Sequence, residues 1–328
     1  MSINKNALRI SRPRIVELSR TSSDPGSVGD FAVAQIEPGL AQFLNLSDSD
    51  GRRLGEGFAV DWIVPLSAAA TAASAASSEH GGWTGFSLSA NWSRPIHSGE
   101  TVLGRSRIAS VDPWRSGRTS ETVSYESFGK ESGELLARGT ILYVTTSEKP
   151  ARMISDESSD DARADAPIDQ EPAQEPEQEA AAEVEVSDLF YLERPSLLNK
   201  TSAQEGRLSV GDSWYWRFPA GLFRLLINPI AGGQEPLGRG FHPFGYVSLG
   251  AALHAASEIL GPEFRPASAE IRWLRFVSGR SDFHLHCELQ TMTDQSVTLS
   301  SSFFEARTKA AQVWLTLSRT QSTDRALI

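Results

Sequence analysis

Two stretches of this chain are almost free of charge, and both open the same way. Leu54–Ser74 reads LGEGFAVDWIVPLSAAATAAS and Leu237–Ser257 reads LGRGFHPFGYVSLGAALHAAS. Displaced by 183 positions with no gap, they share eleven of 21 residues, among them Gly55, Gly57, Phe58, Leu66, Ala68, Ala69, Ala72 and Ala73. A self-match this dense marks an internal repeat. In each copy the glycines of LGxGF suit a turn that needs positive φ or close backbone approach. An alanine-rich run follows, and alanine is the strongest helix former. A helix of Ala and Ser with so little charge is predicted to be buried on most sides. It is also thin enough for a sheet to close around it.

Beyond each helix the pattern changes to rough alternation. Thr101–Val111, Thr119–Phe128 and Leu135–Thr146 follow the first copy, and Asp282–Gln290, Gln295–Phe304 and Gln312–Arg319 follow the second. Their Val, Thr, Ile, Phe and Ser content and period near two predict strands. The self-match resumes just ahead of them, where Asn91–Gly99 (NWSRPIHSG) parallels Arg272–Gly279 (RWLRFVSG). Each copy therefore predicts a turn, a helix, a strand ending in W-x-R and a run of antiparallel strands. That is an α+β plan. Upstream of the first copy, Phe31–Ser47 has the spacing of a short strand or helix. Asp188–Asn199 and Ser213–Ile227 precede the second copy, and the aromatics Trp214–Trp216 predict a strand packed on the sheet. Pro229–Pro236 is a glycine-rich loop leading toward the second helix.

Composition changes this picture in two places. The formal charge is −10 for 328 residues, yet Ser155–Glu185 alone holds twelve Asp or Glu and one Arg. The rest of the chain is close to neutral. That acidic segment has almost no large apolar residue and is predicted to be a disordered linker. Four units follow: a flexible arm at 1–30, a first domain at 31–150, the linker at 151–186 and a second domain at 187–322. The single cysteine, Cys287, excludes an internal disulfide and a cysteine-based zinc site, and fits a reducing, cytoplasmic setting. The sequence has no spanning-length apolar run. The N-terminal MSINKNALRISRPRIVELSR has four arginines and no apolar core, so it does not read as a secretory signal.

The segments SLSANWSRPIHSGETVLGRSRI, SGRTSETVSY and ELLARGTILYV resemble the hotdog fold, duplicated in one chain. Within that fold they resemble acyl-CoA thioesterases of the phenylacetate-thioesterase type, in the 4-hydroxybenzoyl-CoA thioesterase superfamily. Arg94-Pro95, Gly99, Gly117-Arg118 and Ala137-Arg138 fit the family's strand and turn positions. The resemblance implies two hotdog repeats, each an antiparallel sheet wrapped round a central helix, fused as an intramolecular pseudo-dimer. It implies an acyl-CoA or acyl-carrier thioester as substrate and partner, with no metal, no other cofactor, no nucleic acid and no membrane. It allows pseudo-dimers to associate into homo-oligomers. Thioester hydrolysis is the first expectation. Hydration or dehydration of an enoyl thioester is the second, although the Asp-x-Asn-Pro-x-His signature of that class is matched only by His242 with Ser248 six residues on. A non-catalytic acyl-thioester-binding scaffold is the third.

The resemblance also says where the chemistry would lie. In the family a His-Gly-Gly precedes the helix and an acidic residue sits about two turns inside it. Here His80-Gly81-Gly82 follows the first helix instead, and reads as a helix stop. No Asp or Glu lies between Trp62 and Ser78, while Asp61 precedes that helix and Glu79 ends it. The second copy is better equipped. His242 stands just before the helix where the first copy has Ala59, and His254 stands where it has Thr71. His254 and Glu258 are four apart and share a helix face. The candidate catalytic groups are therefore His242, His254 and Glu258, with Asp61 contributing across the interface between units. Gly245 and Ser248, near the helix start, are candidates for substrate binding. Phosphates on a carrier call for arginine's paired donors. Arg94, Arg105, Arg107, Arg115 and Arg118, with Arg272, Arg275 and Arg280, follow the two helices. Arg94, Arg118 and Arg275 are the named substrate-binding candidates. The repeated pair Arg94 and Arg275 is also expected to anchor its turn.

Overall fold

The computed structural model describes residues 8–10, 14–20, 28–29, 31–37, 41–42, 60–77, 83–96, 100–145, 183–184, 196–201, 208–218, 244–261, 263–275, 283–305 and 307–320. The first half holds β1 (Leu8–Ile10), β2 (Arg14–Arg20), β3 (Phe31–Glu37), β4 (Ala41–Gln42), α1 (Val60–Ser77), β5 (Trp83–Trp92), β6 (Val102–Pro113), β7 (Thr119–Gly129) and β8 (Leu135–Thr145). Next come β9 (Glu183–Val184), β10 (Ser196–Asn199), β11 (Ser213–Phe218), α2 (Phe244–Leu260), β12 (Phe264–Trp273), β13 (Phe283–Met292), β14 (Ser296–Glu305) and β15 (Thr308–Arg319). A single turn of 3-10 helix, Arg115–Gly117, lies between β6 and β7.

Burial alternates along the long strands as their residue pattern demands. β6 buries Val102, Gly104, Ser106 and Ile108 and exposes Arg105 and Arg107 between them. Twelve strands pair antiparallel into one sheet, in the order β10-β11-β13-β14-β15-β12-β5-β8-β7-β6-β3-β2. Read inward from its two edges, the sheet uses its strands in matching succession: β2-β3-β6-β7-β8-β5 on one side and β10-β11-β13-β14-β15-β12 on the other. The halves meet where β5 pairs with β12, setting Leu88 opposite Ile271 and Ala90 opposite Ala269. The repeat in the residues is thus a repeat of strand order.

Each half carries its helix. α1 packs on β6, β3 and β7, α2 packs on β12, β15, β13 and β14, and the helices touch each other. Small side chains set the approach. Ala68, Ala69, Ala72 and Ala73 of α1 and Ala251, Ala255 and Ala256 of α2 are fully buried. A Cβ at Gly104 would lie 2.5 Å from the backbone C and O of Ala68, so only glycine admits α1 this close to β6. Pro65 lies inside α1 and has no N–H to offer the Asp61 carbonyl. Neighbouring strands bond this turn instead: Trp92 Nε1–H donates to Trp62 O at 2.8 Å and Ser127 Oγ–H to Pro65 O at 2.6 Å. One apolar cluster runs through both halves, from Ala32 to Leu317. Among the described residues no helix is long and apolar enough to cross a membrane.

Three expectations are corrected. The arm at 1–30 is not wholly loose. Arg14–Arg20 forms β2 and pairs with β3 at the sheet edge, because Ile15, Val16 and Leu18 supply strand-forming side chains that its arginines obscured. Leu8–Ile10 forms β1, which pairs with β4 on one side and β9 on the other. Its pairing with β9 places Glu183–Val184, the end of the acidic segment, in a strand as well. Asp61 does not precede α1 but occupies its first turn. The remainder of the acidic segment, both LGxGF turns, His80–Gly82, the loop Pro229–Pro236, Arg280 and His242 lie outside the described residues.

Candidate functional site

The first N–H groups of a helix have no intrahelical acceptor. The helix dipole adds positive character there. The starts of α1 and α2 are therefore the natural places to hold a carbonyl that becomes an oxyanion. The ungapped repeat sets Trp62 in the first turn of α1 against Gly245 in the first turn of α2. At α1 the corner is filled. The Trp62 and Trp92 rings meet edge to face at 6.3 Å, and the Trp92 indole is spent on Trp62 O. At the start of α2 the repeat puts a glycine where α1 has the Trp62 indole. The counterpart of Trp92 is Trp273, and its buried Nε1–H has no acceptor among the described residues. Gly85 of β5 makes room for that ring, since a Cβ there would lie 3.2 Å from Trp273 Cζ3. The residue pattern holds this contrast too, as Trp62 against Gly245 in the ungapped repeat.

The other candidates on α2 are spread along it. Ser248 is fully buried one turn in. His254 is also buried, with its ring tilted against Trp216 of β11 at 4.7 Å between centroids. Ser257 Oγ–H donates to the His254 carbonyl at 2.9 Å. Glu258 is exposed near the end of the helix. At about 1.5 Å rise per residue, His254 stands about 14 Å along the axis from Gly245, and Glu258 about 20 Å. Acid–base groups act within about 3 Å of the proton they move. The helix start and the His254–Glu258 face are accordingly two separate places. Asp61 lies in the first turn of α1, on the helix that touches α2.

The repeated arginines are turn anchors. Arg94 Nη1–H and Nη2–H donate to Glu100 at 2.8 and 2.6 Å, and Nε–H donates to Glu134 at 2.8 Å. The Glu100 hydrogen bonds hold its guanidinium pKa above the ordinary arginine value, against the opposing effect of burial. Arg275 Nη2–H donates to the carbonyls of Glu305 and Thr308 at 3.1 and 3.3 Å. Both arginines thus hold the hairpin at the end of their own half, β7–β8 or β14–β15. Arg94 has no donor pair left for a phosphate. Arg118 is exposed beside the 3-10 turn between β6 and β7.

Other buried polar groups are unsuited to the chemistry. Burial pushes the Cys287 thiol up to about 12 despite its contact with Ser301 Oγ at 3.2 Å, so it is no thiolate nucleophile. Tyr125 donates to Ser89 O at 2.7 Å, and burial raises its pKa well above the ordinary phenol range. Asp212 accepts from the Thr201 N–H and hydroxyl and from the Ser209 N–H. Burial alone would raise its carboxyl, but these donors outweigh that and hold it below the usual range. Among the described residues, no three of His, Cys, Asp and Glu are grouped to hold a metal ion.

No family model matches the chain, and no curated protein matches it in sequence. Among solved structures it is similar to a protein from Lactobacillus plantarum described as an oleoyl thioesterase. That match has 13% identity over 91% of this chain and 100% of that one, with a TM-score of 0.50. It is also similar to a conserved Mycobacterium tuberculosis protein with a double hotdog fold (15% identity, 81% and 82% covered, TM-score 0.45). A third similar structure is a MaoC-like dehydratase (15% identity, 79% and 84% covered, TM-score 0.45). At these identities the likeness is one of fold alone, helices laid against a large antiparallel sheet.

Proposed function

We propose that the two halves form a pseudo-dimer of hotdog units, with domains at 31–150 and 187–322, and that the chain hydrolyses an acyl-CoA or acyl-carrier thioester at the start of α2. The observation that carries this reading is the contrast between the helix starts. The Trp62 and Trp92 rings meet at the start of α1, whereas Gly245 stands in the place of Trp62 at the start of α2. Fold alone does not assign chemistry, so the residues must. The thioester carbonyl accepts from the first N–H groups of α2. His242, immediately ahead of the helix in sequence, takes a proton from water as the water oxygen bonds to the carbonyl carbon. The tetrahedral oxyanion rests at the helix start. The C–S bond then breaks, and the thiolate leaves with the proton held by His242. His254 and Glu258 stand too far along α2 to share that carbonyl, and His254 serves the wall against Trp216.

The test is thiol release from a panel of acyl-CoAs of varied chain length. His242→Ala should lower turnover about 10²-fold or more, the scale of a lost general base. Gly245→Trp, which rebuilds the α1 corner at α2, should abolish it with little loss of melting temperature. Full turnover in both variants would sink the assignment. A non-catalytic acyl-binding role has one observation in its favour: the sole acid on α2, Glu258, is exposed. Tight binding with no thiol release and no change in enoyl absorbance would establish that role instead.

A further inference from the structure

The sheet face turned away from the helices differs between the halves. On β6, Arg105 and Arg107 point outward, between residues buried toward α1. Pairing sets Arg105 opposite Glu126, and Glu126 opposite Arg138. The next rung runs Arg107, Ser124, Thr140. These side chains line one groove of about 700 Å³. At strand spacings, Arg105 and Arg138 lie about 10 Å apart across the sheet, and Arg105 and Arg107 about 7 Å apart along β6. No ion pair engages any of the three guanidinium groups among the described residues. The Arg105 guanidinium instead sits over the Phe128 ring at 5.3 Å. Three positive groups thus share the groove with one carboxylate, Glu126.

The same rungs on the matching three strands of the second half carry no arginine. There the register runs His286, Ser302, Gln312, and Glu288, Ser300, Trp314. Gln312 accepts from Ser302 Oγ–H at 2.8 Å and donates to Ser300 Oγ at 2.6 Å, bridging the two rungs. A face kept polar only for solubility gives no reason for three arginines at positions where its twin has His, Gln and even an acid. Planar guanidinium forks spaced along and across two rungs match the oxygens of a phosphate chain.

We infer that this outer groove of the first half binds a small phosphate-bearing anion, separate from the thioester site. The full chain is titrated calorimetrically with pyrophosphate, with ADP and with sulfate at about 150 mM salt, where surface charge is screened beyond about 8 Å. Saturable binding of pyrophosphate or ADP, but not sulfate, is expected at one site per chain. Arg105→Gln combined with Arg138→Gln should weaken it about tenfold or more, the scale of one charge-assisted hydrogen bond lost. Glu126→Gln should tighten it, a change of sign that a merely structural role would not produce. Equal affinity for the two ligands assigns recognition to the diphosphate, and tighter ADP adds contact with the nucleoside. Melting curves confirm folding, and Arg107→Gln replaces the double variant if that one fails to fold. The inference is overturned if neither ligand saturates, if sulfate binds equally well, if the arginine variants bind unchanged, or if Glu126→Gln weakens binding.

Discussion

Gly104→Ala tests how closely α1 is drawn onto the sheet. The added Cβ would sit 2.5 Å from Ala68 C and O and 2.8 Å from Ala69 N, against 3.4–4 Å for ordinary contact. These are backbone atoms of a helix, so no side-chain rotation relieves the clash. The helix must retreat by about 1 Å along its contact with β6. A gap of that size forfeits roughly a quarter to a half of each dispersion contact it opens. Overpacking typically costs about 1–3 kcal/mol, and a backbone clash belongs at the top of that range, about 3 kcal/mol. At roughly 2 °C per kcal/mol for a unit of this size, melting should fall by about 6 °C. Gly133→Ala is the control. It has φ +68° and nothing within 4 Å of a new Cβ, so it carries only the left-handed backbone penalty of about 1–2 kcal/mol. Scanning calorimetry on both variants decides. If Gly104→Ala melts no lower than Gly133→Ala, the close approach of α1 to β6 is wrong.

Three further outcomes are expected. The Cys287 thiol is raised to about 12 in the folded chain, so an unfolded chain ionises first above about pH 9. Stability should therefore fall between about pH 9 and 12, by about 1.4 kcal/mol per pH unit for this group. Tyr125 acts in the same direction, and Cys287→Ala should flatten the slope in denaturant titrations across that range. Asp212, with its folded pKa depressed, contributes stability above the unfolded carboxylate pKa and loses it as pH falls through the folded one. The stability gap between wild type and Asp212→Asn should therefore shrink in acid unfolding below about pH 4. Arg94→Ala should lower the melting temperature more than Arg275→Ala. Arg94 pairs with two carboxylates and is the less exposed, whereas Arg275 bonds two carbonyls and stands 3.8 Å from the Glu305 carboxylate.

The long elements were legible because each one's residue pattern agrees with its surroundings. The alanine runs became α1 and α2, and the alternating runs became β6–β8 and β13–β15 with ends displaced by a few residues. β2 is hard to read from sequence because charged residues flank and interrupt its short apolar run. β1 and β9 were missed because a two- or three-residue strand has no period to read and exists only through its partners. Arg94 was readable as a repeated residue but not as a fully engaged one, since Glu100 and Glu134 meet it from the loop after β5 and from the β7–β8 turn. The contact of His254 with Trp216 joins α2 to a strand far from it in sequence, which no local spacing reveals. The outward set of Arg105, Arg107 and Arg138 needed the register of three strands.

The pairing of β5 with β12 is made within one chain, and that removes it from mass action. A joint between separate subunits opens on dilution, whereas here the partner strand is always present at the effective concentration its tether sets. The contact between α1 and α2 is held by the same tether. Specific activity should stay constant from micromolar down to nanomolar protein. The joint should open only when the chain itself unfolds, because one apolar cluster spans it.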